Sequence, residues 1–420
     1  MPTFKISTLG CKVNQYETQL IREQLLAVGL SEGSGKSPAL VYIINTCTVT
    51  QKADATSFSL IRRAIRENPR AKIIVTGCLT ELDAGKIRKL FPSIKILKNR
   101  RKQDIAGHIL GRKKNSKPVR GISYFKGHSR VFLKVQDGCN NRCSYCKVPL
   151  VRGSSRSRLP EEIIAEAKNI TAAGTKEIVL CGICLGAYGR DLKLATNLTE
   201  LLGRLEVLPG LKRIRLSSIE AGDISDSLIS KIAGSDKICR HLHIPIQSGD
   251  NDVLKKMFRR YSRSYYLKLI QKIKKRIPEI AITTDVMVGF PGESQKHFKN
   301  TLDLVRQIVP LKVHIFPYSL RLKTPASRLK GQLATREMKS RVRQLEKVSL
   351  ACAVKYKSRF INKSAEVLVE NNYQKRPGLW QGYSSNYLKV IIKSSQKLKN
   401  RIVAVRLGAL EGDYLKANLC

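Results

Sequence analysis

Three cysteines, Cys139, Cys143 and Cys146, fall within the last eight residues of the stretch DGCNNRCSYC. A structural zinc site closes with a fourth Cys or His, and no histidine follows nearby; His128 lies upstream, before the run VFLKV. Three thiolates with an open fourth position fit a [4Fe-4S] cube instead. The iron left without a protein ligand can chelate the amino and carboxylate groups of S-adenosylmethionine. An electron passed to the sulfonium then gives a 5′-deoxyadenosyl radical, which abstracts hydrogen from carbon that acid–base chemistry does not reach. The rival reading, a non-catalytic RNA-binding protein built around zinc, lacks its fourth ligand.

Three further cysteines share a context. Cys11, Cys47 and Cys78 each follow a short β-branched run: TFKISTLG, VYIINT and KIIVTG. The intervals of 36 and 31 residues leave room for a helix and a return, and the helical patterns ETQLIREQLLAVG and FSLIRRAIRENP lie between them. Strand–helix alternation predicts a parallel sheet, and ligands bind beyond the carboxyl ends of such strands. Three cysteines distant in sequence are thereby expected to meet over one site. Buried structural thiols are the plainer alternative.

These residues must be positioned by larger elements. The runs VFLKV, EIVLCG, KRIRLSS, CRHLHIPI, EIAITTDVMVGF and KVHIFPYS alternate with helical patterns, so six βα units predict a partial barrel whose C-terminal rim carries function. A polar helix follows around residues 335–355. The segments AEVLVE, SNYLKVII and RIVAVRL then predict a small all-β module. The expected fold class is α/β: an N-terminal parallel-sheet α/β domain over residues 1–100, a basic linker over 101–127, a central partial (β/α)6 barrel over 128–357, and a C-terminal small β-barrel over 358–420. In the linker region Lys98, Arg100, Arg101, Lys102, Arg112, Lys113, Lys114, Lys117 and Arg120 face a single acid, Asp104.

A chain of 420 residues, 42% hydrophobic, is too long for one core. Its formal charge of +46, from 78 Lys plus Arg against 32 Asp plus Glu, makes a polyanion the expected partner, nucleic acid first. A proteome in which every protein is basic is the alternative. The opening MPTFKISTLG has no apolar h-region, and no apolar run approaches the roughly 20 residues of a membrane helix, so the chain reads as cytoplasmic, with no membrane partner. Eleven cysteines in a reducing compartment point to metal or catalysis rather than disulfides.

The CxxxCxxC run with Tyr145 before its last cysteine resembles the radical S-adenosylmethionine superfamily. Combined with Cys11, Cys47 and Cys78, it is similar to the methylthiotransferases, through TLGCKVNQYET, NTCTVT, IVTGC, DGCNNRCSYCKVPLVRGSSRSR, LGAYGRD, RLSSIE, HLHIPIQSG, TTDVMVGFPGE and GYSSNYLKV. The opening GCKVNQYET resembles the tRNA threonylcarbamoyladenosine (t6A37) methylthiotransferases, where isopentenyladenosine enzymes tend to carry a GCQMN-type opening. The resemblance implies a radical SAM barrel, an N-terminal methylthiotransferase domain, a C-terminal TRAM-like RNA-binding domain, S-adenosyl-L-methionine and two [4Fe-4S] clusters. Cys139, Cys143 and Cys146 would hold the radical-generating cluster, and Cys11, Cys47 and Cys78 an auxiliary cluster that supplies or holds sulfur. Implied partners are the anticodon stem-loop of tRNA, an electron donor protein and a sulfur source. Isopentenyladenosine-37 tRNA or a ribosomal protein are alternative substrates within the same chemistry.

Other site residues follow from position. Tyr145 is expected near the adenine of the cofactor, and Gly182, Ser217, Glu220 and Gln247 lie at or after strand ends of the rim, where they are candidates to bind it. Arg152, Arg156 and Arg158 beside the cysteine loop, with Tyr383, Tyr387, Lys389 and Lys393 in the β module, are candidate RNA contacts, since RNA loops are read by stacking platforms and cations. The chain has CGICLGAYG where the family commonly has TGINLGAYG; Cys181 and Cys184 read as packing residues. Cys239, Cys352 and Cys420 read as structural or surface thiols.

Overall fold

A computed structural model describes residues 2–35, 37–110 and 121–420. They form two compact units, one of Met1–Lys126, Gln136–Arg156 and Ser319–Ser327, the other of Gly127–Val135, Ser157–Tyr318 and Arg328–Cys420. The thiol loop of residues 136–156 therefore groups with the N-terminal residues, whereas the expected boundaries place it in the barrel domain.

The first unit is built on a parallel sheet ordered Ser31–Glu32, Thr3–Thr8, Val41–Thr46, Lys72–Gly77, Lys95–Ile96. Connections run outward in opposite directions from Thr3–Thr8, which is the doubly wound arrangement with its switch point between Thr3–Thr8 and Val41–Thr46. Both faces are covered. Val41 and Ile43 pack with Phe4, Ile21, Leu25 and Ile105 on one side, while Tyr42 and Ile44 pack with Ile61, Val75 and Leu79 on the other. Burial on both faces explains why these strands read as continuous apolar runs rather than alternating ones. The expected linker of 101–127 differs from expectation where it is described. Asn99–Asp104 is a 3-10 turn leading into the helix Ile105–Leu110, Ile105 is buried in the core, and Lys102 is buried beside Glu17. Arg112, Lys113, Lys114, Lys117 and Arg120 lie outside the described residues.

The second unit carries the six expected strands in chain order, all parallel. Arg130–Lys134, Glu177–Cys181 and Arg213–Leu216 form one sheet; His241–His243, Ala281–Val288 and Lys312–Pro317 form another. Parallel bridges at Ile214–Ile238 and Ser218–His243 continue the ladder between them. After the helix Thr335–Ser358, five strands close into a barrel in the order Ser364–Asn372, Leu379–Ser384, Lys389–Lys393, Tyr414–Leu419, Ile402–Glu411, around Val367, Val369, Trp380, Val390, Val405 and Leu415.

A buried ionic cluster joins this small barrel to the parallel strands. Glu177 is fully buried, with Arg215 Nε at 2.7 Å and Arg213 Nη1 at 3.9 Å. Burial pushes the Glu177 carboxyl up, but the Arg215, Arg130 and Arg213 guanidiniums outweigh it and hold it below the usual carboxylate value. The two arginines also donate across the boundary: Arg213 to Tyr383 O and Glu366 O, Arg215 to Ser384 O and Ser385 O. Removing one partner of a buried ion cluster leaves the others uncompensated, at a cost of about 3–5 kcal/mol. Glu177→Ala is accordingly expected to destabilise this unit by that amount, read as a lowered denaturation midpoint and earlier proteolysis of the C-terminal barrel. A midpoint within experimental error of the parent would contradict it.

Candidate functional site

Cys11, Cys47 and Cys78 sit where three adjacent strands of the first sheet end. Cys11 precedes the helix Lys12–Ala27, Cys47 follows Thr46, and Cys78 precedes the short helix Leu79–Leu82. The register places Thr8 opposite Asn45 and Thr46 opposite Gly77, and Cys78 N–H donates to Thr46 O at 3.1 Å. Two glycines in the left-handed region make the approach close enough. A Cβ at Gly10 (φ +99°) would lie 2.9 Å from both Cβ and Sγ of Cys47, and one at Gly77 (φ +97°) would lie 2.4 Å from Thr46 O. Any side chain there would push the strand ends apart.

The buried thiols also act on one another electrostatically. Burial pushes the Cys47 thiol up to about 11, and the neighbouring Cys78 and Cys11 push it the same way. Burial also raises Cys78, opposed by the charges of Arg152 and Lys102. A metal must displace protons from such thiols, and these buried cations favour the thiolate form it needs. The donor set thus fits a soft, thiolate-ligated group.

Cys139, Cys143 and Cys146 share one tight loop of the same unit. Cys139 N–H donates to Gly153 O at 3.0 Å and Cys146 N–H to Cys143 O at 3.0 Å. Two sulfurs accept backbone N–H groups, Cys139 Sγ from Asn141 and Cys146 Sγ from Val148, each at 3.4 Å. Such N–H···S bonds favour the thiolate form and help tune iron–sulfur centres. Between Cys143 and Tyr145, buried Ser144 accepts from Ala326 N–H at 2.8 Å, which ties the loop to Ser319–Ser327. Among the described residues no cysteine is joined in a disulfide.

In the second unit, Ser217 follows the strand Arg213–Leu216, and its buried hydroxyl has no protein partner among the described residues. An orphaned polar atom at a rim is what a bound ligand satisfies. Gln247 holds a left-handed backbone (φ 68°) because its N–H donates to Asp285 O and its carbonyl accepts from Met287 N–H. Glu220 ion-pairs with Arg259, so the carboxylate expected to meet the cofactor already holds a cation; burial raises its pKa and Arg259 opposes this. Gly182 is half-buried just past the strand Glu177–Cys181. Cys181 and Cys184 are buried, with Cys184 Sγ 3.5 Å from Asp223 Oδ2.

The expected RNA contacts fare differently. Arg152 is buried, not exposed, and its guanidinium is ringed by Glu17, Asp137 and Asn14. Arg158 pairs with Glu166 at 2.6 Å and donates to Lys134 O. Tyr383 and Tyr387 stack with centroids 5.1 Å apart, and guanidiniums already cover them: Arg130 lies 4.9 Å from the Tyr383 ring and Arg215 4.7 Å from the Tyr387 ring. Each ring thus already carries a cation within the protein. Lys389 pairs with Asp413 at 3.0 Å. Arg156 and Lys393 are exposed, as an RNA contact requires. Sequence reasoning missed Arg321, whose Nη2 donates to Thr48 O, Thr48 Oγ1 and Asp54 Oδ2 beside Cys47. It also missed the pairing of Lys102 with Glu17.

Parallel βα strands with a CxxxCxxC loop define a radical S-adenosylmethionine protein. The radical SAM superfamily profile matches residues 133–305, and that of the uncharacterized protein family UPF0004 matches residues 3–98. The threonylcarbamoyladenosine tRNA methylthiotransferase of Bacillus subtilis is 39% identical over 97% of this chain and 94% of its own length, and that of Thermotoga maritima 38% identical over 93% and 91%. The tRNA-2-methylthio-N6-dimethylallyladenosine synthase of Moorella thermoacetica is 34% identical over 99% and 98%. The chain belongs to the threonylcarbamoyladenosine tRNA methylthiotransferase family. Among solved structures, the radical S-adenosylmethionine methyltransferase TsrM from Kitasatospora setae shares the fold, with a TM-score of 0.57 at 13% identity, covering 78% of this chain and 77% of that one. As a radical SAM protein the chain uses S-adenosylmethionine and a [4Fe-4S] cluster. Among the described residues, no helix is long and apolar enough to cross a membrane.

Proposed function

We propose that this chain is an enzyme that adds a 2-methylthio group to N6-threonylcarbamoyladenosine at position 37 of tRNA. The observation that carries it is the near-full-length similarity to the named threonylcarbamoyladenosine enzymes, joined to two thiol trios in one unit. Cys139, Cys143 and Cys146 hold the cluster that binds S-adenosylmethionine; Cys11, Cys47 and Cys78 hold an auxiliary [4Fe-4S] cluster. When bound, the first group supplies one-electron cleavage of the sulfonium, and the protein supplies position.

Each protein group then has a defined task. The Asn141 and Val148 N–H groups orient two of the radical-cluster sulfurs. Ser217 offers an otherwise unpartnered hydroxyl to the polar part of the cofactor. Tyr145, within the thiol loop, and Gly182, just past its strand end, remain candidate cofactor contacts, and the backbone of Gln247 is fixed. Arg156 and Lys393 are the exposed members of the cation set that meets the anticodon stem-loop. An electron donor protein and a sulfur source complete the reaction, in the cytoplasm.

Nucleoside mass spectrometry of tRNA from a strain lacking the gene tests the assignment. The expected result is accumulation of t6A with no methylthio-t6A, while methylthio-isopentenyladenosine stays unchanged. Unchanged methylthio-t6A with loss of the isopentenyladenosine product would move the enzyme to the alternative substrate.

A further inference from the structure

We infer that Arg152 is a positioning residue, a strut that fixes the loop of Cys139, Cys143 and Cys146 against the strand ends bearing Cys11, Cys47 and Cys78. This inference rests on the proposed two-cluster reading. Arg152 ends the helix Val148–Arg152, which begins two residues after Cys146. Its Nη1 donates to Asp137 Oδ1 at 2.8 Å, just upstream of Cys139, and to Glu17 Oε1 at 3.3 Å. Its Nη2 donates to Asn14 Oδ1 at 2.5 Å and Glu17 Oε2 at 3.2 Å.

Asn14 carries the contact onward to both strand ends. Its Nδ2 donates to Leu9 O at 2.7 Å and to Thr46 O at 3.0 Å, the carbonyls that lead into Cys11 and Cys47. Glu17 is shared with Lys102 at 2.6 Å, and Lys102 also reaches Asn45 Oδ1 at 3.3 Å. Asn45 Nδ2 returns to Asn14 O at 3.0 Å. The chain Asp137–Arg152–Asn14 therefore runs between the two trios entirely through buried or part-buried hydrogen bonds. A planar guanidinium presents its donors in a rigid fork, which a rotatable ammonium does not. Outer partners of this kind orient ligands and tune the metal, typically by 10–100-fold in affinity or activity. An RNA-contacting arginine would not be 2% exposed.

The test compares the anaerobically reconstituted parent with Arg152→Gln, Arg152→Lys and Asp137→Asn. In the parent, iron analysis is expected to give roughly eight irons per chain, and the reduced protein a spin–spin interaction between two clusters in its paramagnetic resonance spectrum. Arg152→Gln is expected to change that interaction and, in metal-free protein, to speed amide exchange in residues 138–147 by about tenfold or more. Arg152→Lys and Asp137→Asn, which keep the charge or the shape, should shift both in the same direction by less and serve if Arg152→Gln does not fold. Two clusters with unchanged interaction and exchange in all three variants overturn the strut. So does a tenfold loss of tRNA affinity in Arg152→Gln with the spectrum unaltered, which returns Arg152 to RNA contact. A parent with only one cluster instead removes the two-cluster reading, and the inference falls with it.

Discussion

Cys143→Ala is expected to abolish both cleavage of S-adenosylmethionine and modification of tRNA, with rates falling on the order of 10^4-fold or more, because no side chain can stand in for the group that carries the chemistry. The substitution removes one of the three sulfurs of the loop and nothing that shapes it. The Cys143 carbonyl still accepts from Cys146 N–H, and Cys139 N–H still donates to Gly153 O. Ser144, next in the chain, keeps its backbone bond with Ala326. The loop should therefore keep its conformation while its cluster loses a ligand, and the variant should hold roughly four irons fewer than the parent. Circular dichroism and thermal midpoint close to the parent, with no 5′-deoxyadenosine formed under reducing conditions, is the expected result. Parent-level 5′-deoxyadenosine would remove Cys143 from the radical cluster.

The parts of the molecule that a sequence reader sees are those whose period or punctuation is local. The three strands ending at Cys11, Cys47 and Cys78 are legible because both faces of the sheet are buried, which turns VYIINT and KIIVTG into unbroken apolar runs between helical patterns. The barrel strands are legible for the same reason. The edge strands Ser31–Glu32 and Lys95–Ile96 are two residues each and carry no period to read. Leu379–Ser384 and Tyr414–Leu419 escape notice because Gly382 interrupts the first, where a Cβ would strike Leu368 O, and the second mixes Lys416 and Asn418 into its exposed face.

The burial of Arg152 is hidden for a different reason. In a chain of +46 an arginine beside the cysteine loop reads as an RNA contact. Arg152, Arg213 and Arg215 are buried because acids far away in sequence reach them: Glu17 lies 135 positions from Arg152, and Glu177 lies 38 from Arg215. No window of sequence contains that pairing. The surroundings of Tyr383 and Tyr387 are hidden likewise, since the guanidiniums over their rings come from strands of the central barrel. What the sequence carries unaided is the thiols, whose spacing is chemistry in itself.

Cys47→Ala should separate the two halves of that chemistry. Cys47 is buried at the end of Val41–Thr46, and its carbonyl accepts from Ser57 Oγ at 3.2 Å whatever its side chain. Alanine keeps the Cβ against which Gly10 packs and removes only the sulfur, so the sheet stays intact. With two thiols left, the proposed auxiliary site no longer meets the three-ligand pattern, while the Cys139, Cys143 and Cys146 loop retains all its sulfurs. Cleavage of S-adenosylmethionine is then expected to persist within a few-fold of the parent, with thiolation of t6A stopped and iron reduced by roughly four per chain. Cys11→Ala and Cys78→Ala should match it, because Cys11 lies close enough to both Cys47 and Cys78 to oppose their ionisation. Continued formation of methylthio-t6A by any of the three would show that their meeting point at the strand ends is packing rather than a metal centre, and loss of cofactor cleavage in all three would make it part of the radical site itself.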